Sequence, residues 1–131
     1  MPESTLVLSA KDAIQRHIQW RITLQLAIAL QEPLSAGHLD QILHFRQCAI
    51  GRWLDSEATL AMQADPAYAD LVNKHIDFHK EMGRVANLIA ACDFREAGRS
   101  IDPRSSFGRS SKALANAMMA FDQITPMAVP V

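Results

Sequence analysis

At 131 residues the chain fits one domain of ordinary size, expected to span 1–131 and long enough to bury a core without disulfides or a second unit. Hydrophobic residues at 49% and charged residues at 21% exclude disorder over most of the length, and a net charge of -1 with no basic stretch removes the electrostatic basis for binding nucleic acid or a membrane surface. No apolar run reaches the roughly 18 to 20 residues that span a bilayer, no positively charged leader precedes the apolar run in MPESTLVLSAKD, and Cys48 and Cys92 make no disulfide framework, so a cytoplasmic protein with free thiols is expected.

The first predicted helix starts near Ser9, where Ser9-x-x-Asp12 is a capping-type beginning, and Ile14, Ile18, Ile22, Leu26 and Ala29 recur along it at helical spacing. It ends before Pro33, carries His17 in its first half, and has Trp20 three residues further on. After the breaker segment EPLSAGH, the pattern Leu39, Ile42, Leu43, Phe45, Ile50, Trp53 predicts a second helix that contains Cys48. Gly51 marks a tight approach or the end of that helix, and WLDSEATLAM continues as a short helical piece.

Pro66 suits the first turn of the next helix, which is read from Ala67 to about Cys92 through Leu71, Val72, His75, Phe78, His79, Met82, Val85, Ala86 and Ile89. The segment GRSIDPRSSFGRSS is expected to be a loop or a loosely ordered helix end, followed by a last helix from Ser110 to Ile124 and a disordered tail, TPMAVPV, over 125–131. No strand alternation or repeat competes with these elements. The fold class is therefore all-α: an antiparallel four-helix bundle with an additional short helix, its core about 9–124.

His75-Ile-Asp-Phe-His79 places two imidazoles one turn apart on one helix face, within reach of a single ion. With His17 and Cys48 the donors suffice to close one tetrahedral site, and a complete set of three His and one Cys leaves no obligatory open position. That suits a sensing or structural site better than a catalytic one. A zinc hydrolase would need Glu directly after the first histidine, where this chain has Ile76, and no Glu-x-x-His motif of a di-iron bundle is present, so no enzyme and no catalytic residue is expected. By spacing alone His44-x3-Cys48 is as good a pair as His75 and His79. Of the remaining groups, His38 and Asp77 read as solvated, Cys92 as a buried small apolar residue, and Trp20 and Trp53 as core residues that pack around the site and limit water access.

Three blocks, His17-Ile-Gln-Trp20, Arg46-Gln-Cys48-Ala-Ile-Gly51-Arg-Trp53 and His75-Ile-Asp-Phe78-His79, occur in the order and at separations similar to those of the chemoreceptor zinc-binding (CZB) domain, which the chain resembles from about Lys11 to Phe94. The resemblance selects His17 over His44 and implies that His17, Cys48, His75 and His79 bind one Zn2+. It implies a regulatory module of bacterial chemotaxis or cyclic-di-GMP signalling, with dimers common in the family and Cys48 the expected redox switch. Since 131 residues leave no room for a cyclase or a signalling hairpin, the expectation is a stand-alone sensor acting in trans on a chemoreceptor or diguanylate cyclase. The alternative is an interaction or zinc-buffering protein with a structural zinc.

Overall fold

A computed structural model describes residues 9–124; the expected tail at 125–131 lies outside them. Ser9 is extended, and its hydroxyl accepts the Asp12 N–H at 3.3 Å, so the cap read from the sequence starts α1, Ala10–Leu30. Gln31 then turns left-handed (φ 54) and closes the helix onto the carbonyls of Ala27 and Ile28. The buried face of α1 is Ala10, Ala13, His17, Trp20, Leu24 and Ala27. It is not the stripe that the isoleucines mark: Ile18, Ile22 and Leu26 are 52%, 47% and 55% exposed. This helix has two apolar faces, and the one with small alanines and ring side chains turns inward.

Ser35 caps α2, Ala36–Leu43, with its hydroxyl accepting the His38 N–H. The expected second helix is in fact split. The chain leaves helical geometry at His44, turns through 44–48, and resumes as α3, Ala49–Leu54, so Cys48 lies at the cap of a short helix and not inside a long one. Gly51 permits the fold-back: a Cβ there would overlap the Phe45 carbonyl oxygen and come within 2.8 Å of Arg46 Cα, so α3 can lie directly on the Phe45–Arg46 peptide only because this residue has no side chain.

A 3-10 turn, Glu57–Met62, leads to α4, Pro66–Ala90, which Asp65 caps at the Ala67 N–H with Pro66 in its first turn. Helix α4 ends earlier than the sequence suggests. Cys92 sits past the end in left-handed backbone (φ 59) and is exposed, correcting its expected burial. The expected Ser/Gly/Arg loop is largely helical as well: α5 runs Phe94–Ser100 and α6 runs Ser106–Ile124. Local capping overrides composition there, because Asp93 accepts from Glu96 N–H, Ser105 accepts from Gly108 N–H, and Phe107 is fully buried.

Every regular element among the described residues is helical, and they form an all-α bundle. Helix α4 packs most extensively on α6, α6 also on α1, and α2 lies against α4. The shared core contains Leu24, Leu71, Phe78, Met82, Leu114, Met118 and Phe121, all at zero exposure. No helix of the described residues is long and apolar enough to cross a membrane.

Candidate metal centre

Helix α4 places His75 and His79 one turn apart, with ring centroids 4.6 Å apart and exposures of 1% and 5%. The turn at 44–48 drops Cys48 onto this pair at zero exposure. Its Sγ lies 3.2 Å from His75 Nε2 and 3.4 Å from His79 Nε2, and the three donor atoms all fall within 4.8 Å of one another. Tetrahedral zinc, with bonds of about 2.3 Å to sulfur and about 2.05 Å to nitrogen, separates a sulfur from a nitrogen ligand by roughly 3.6 Å. A zinc ion therefore fits between these donors with a few tenths of an ångström of expansion.

Second contacts orient the donors. His79 Nδ1 faces the Ile42 carbonyl at 2.9 Å; a carbonyl can only accept, so Nδ1 carries the proton and the Nε2 lone pair faces Cys48. The Cys48 sulfur accepts the Gly51 N–H at 3.3 Å as the cap of α3, and its thiol proton is directed at the Phe45 carbonyl, 3.2 Å away. Aromatic edges surround the pair: Phe45 stands 6.0 Å from His75, and Trp20 stands 6.5 Å from His79, ring centre to ring centre.

Burial dominates the electrostatics. It lowers His75 to about 3, helped by the neighbouring charges of His79 and His17, and it lowers His79 despite the opposing bond to Ile42. Burial lowers His17 to about 4, against the bond to Ser111 and with Arg21. The same desolvation raises the Cys48 thiol, although the N–H groups of Gly51 and Ile50 and the charge of Arg52 favour its thiolate. Near neutral pH the cluster is thus a set of neutral imidazoles beside a protonated thiol. A cation bound between these donors would stabilise the thiolate.

His17 is buried at 4% exposure but lies outside the group formed by Cys48, His75 and His79. Its ring packs on Phe78 at 4.5 Å, and its Nε2 lies 2.8 Å from Ser111 Oγ on α6. Trp20 and Trp53 are both buried, Trp20 beside His79 and Trp53 edge-on against Phe121. His44, which cannot share a helix face with Cys48, is exposed and paired with Asp40 at the end of α2. His38 and Asp77 are exposed, as expected.

Sequence reasoning missed Ile42 and Ser111. The Ile42 contribution is a backbone atom, which no residue pattern reveals. For Ser111 a signal existed: Phe107, Ser111, Leu114 and Met118 make the buried strip of α6, so a hydroxyl falls where an apolar side chain would be usual.

No curated protein and no solved structure matches the chain. The sequence model of the chemoreceptor zinc-binding domain matches residues 17–86, more than half of the chain, from His17 to just beyond the α4 pair. The cluster of Cys48, His75 and His79 falls inside that match, with thiolate and imidazole donors suited to zinc. The chain belongs to the chemoreceptor zinc-binding domain family, and its metal is Zn2+.

Proposed function

We propose that the chain is a zinc-responsive regulatory module of bacterial signalling that holds one zinc through Cys48, His75, His79 and His17. The observation that carries this reading is the Cys48 sulfur lying 3.2 and 3.4 Å from two histidine nitrogens in the core. A four-donor set without an open position suits reversible closure around the metal, not turnover. Because the donors come from α1, the start of α3 and α4, occupancy sets how these elements pack.

Cys48 is the switch within this reading. Thiolate is the ligand most readily lost to protonation or oxidation, and its loss leaves a weaker three-histidine site while freeing the turn that begins α3. The output is a chemoreceptor or diguanylate cyclase, and the module works as a homodimer in the cytoplasm. The exposed strip Ile18, Ile22, Leu26 and Leu30 on α1 supports the pairing. Metal content of protein purified without added metal, followed by zinc titration, tests the core of the proposal; protein that takes up no zinc refutes it.

The burial of all three clustered donors also favours a second reading, an interaction or zinc-buffering protein whose zinc is structural. A chelator distinguishes the two. A sensor gives up zinc and remains folded, whereas a structural site unfolds as it is stripped.

A further inference from the structure

His17 has one nitrogen engaged and one without a partner. Nε2 lies 2.8 Å from Ser111 Oγ, whereas Nδ1 is sealed from solvent and has no hydrogen-bond partner among the described residues. A buried polar atom without a partner forfeits the hydrogen bond it would make to water, so it calls for a ligand. The ring lies against Phe78, next in sequence to His79, which places this imidazole beside the helix that carries the histidine pair.

We propose that Ser111 is a positioning residue that accepts the Nε2–H of His17 and so reserves Nδ1 as the zinc-binding nitrogen. The inference rests on the reading of His17 as a ligand and goes beyond it in naming the atom and the residue that selects it. An imidazole is neutral with a proton on one nitrogen and a lone pair on the other, so fixing the proton on Nε2 leaves the lone pair on Nδ1. His79 is held in the opposite sense, with Nδ1 protonated toward Ile42 and Nε2 toward the sulfur. The two histidines therefore present different ring nitrogens. Ser111 is 8% exposed, lies on α6 and falls beyond the family match at 17–86, so α6 joins α1, α3 and α4 in registering the metal.

Long-range 1H–15N correlation spectra of the zinc-loaded full chain report each ring nitrogen of His17 as protonated, free or metal-bound. The expected result is a protonated Nε2 and a metal-shifted Nδ1. Metal on Nε2 would overturn the inference while leaving His17 a ligand; metal on neither nitrogen would remove His17 from the site and the inference with it. In parallel, Ser111→Ala should weaken zinc binding by about tenfold or more in competition with a chromophoric chelator, and Ser111→Thr, which keeps the acceptor, should restore most of it. An alanine variant of parental helicity that binds within twofold of the parent would also overturn the assignment.

Discussion

The carbonyl oxygen of Ile42, at the end of α2, holds His79 Nδ1 at 2.9 Å and thereby decides which face of that imidazole meets Cys48. One element supplies the orientation, another the histidine, and the turn after the first supplies the sulfur. The ligand geometry is thus a product of the break at His44. An uninterrupted second helix would have used the Ile42 carbonyl in its own hydrogen bonding.

The ligands should contribute unequally. Cys48→Ala is expected to weaken zinc binding by more than the roughly 100-fold that loss of an orienting contact can reach, without abolishing it, since three imidazoles remain. His75→Ala with His79→Ala should abolish it. Chelator competition on the two variants decides this, and a Cys48 variant that binds as tightly as the parent would eliminate the switch.

Zinc uptake should release a proton. Burial raises the Cys48 thiol above its usual value, so the metal-free site is protonated at pH 7 and binding must expel that proton. Calorimetry in buffers of different ionisation enthalpy should give about one proton per zinc. A value near zero would mean that the thiolate already exists in the metal-free protein.

Metal-free protein should lose stability in acid. His17 and His75 titrate at about 4 and about 3 when folded but near 6.5 when unfolded, and His79 is lowered as well. Between those values the unfolded chain binds more protons, so stability is full above about 6.5 and falls as the pH drops toward the folded values. Each of the two loses about 1.4 kcal/mol per pH unit, or roughly 2 kcal/mol apiece by pH 5. Urea midpoints of chelator-stripped protein between pH 7 and 5 measure this, and a flat series would contradict the burial of neutral imidazoles.

Gly51→Ala should damage the site through the backbone of α3. The added methyl collides with the Phe45 carbonyl, so α3 must lift and carry the Cys48 sulfur away from the histidine pair. A loss of about 1–3 kcal/mol in unfolding free energy, with weakened zinc binding, is expected. The same substitution at Gly37, where a Cβ meets nothing within 4 Å, is the control and should leave zinc binding unchanged.

If the α1 strip joins two copies, a charge in it should separate them. Ile22→Glu with Leu26→Glu is expected to shift sedimentation from dimer to monomer while leaving zinc affinity near that of the parent, because both side chains face away from the core. A parent that sediments as a monomer at high concentration would end the dimer proposal.

The long helices were legible because their signals are local and strong: Ser9 caps α1, Pro66 opens α4, and the apolar period of α4 buries Leu71, Phe78, Met82 and Ile89 as read. The inward face of α1 was less legible, since Ile18, Ile22 and Leu26 are as periodic as the alanines and rings that are actually buried. The break at His44 was hidden because the fold-back that Gly51 permits is a backbone contact with Phe45, which hydrophobic spacing does not record. The His75 and His79 pair follows from helix geometry, whereas the approach of Cys48 depends on tertiary packing, which the sequence marked only through the residue's donor chemistry and the family pattern. Ser105 and Asp93 show how single capping side chains can turn a loop-like composition into helix.

The Cys48 sulfur also terminates the free end of α3 by accepting the Gly51 N–H, so one atom serves both as metal donor and as the first acceptor of a helix. These duties respond differently to replacement. Serine could still cap the helix but offers a poor soft donor, while alanine offers neither. Conversion of the sulfur to a sulfinate keeps an anion at the cap and withdraws a ligand from the metal, so the helix could outlast the site it serves. An oxidised molecule of this kind would resemble the intact one by helicity and differ only in what it can hold.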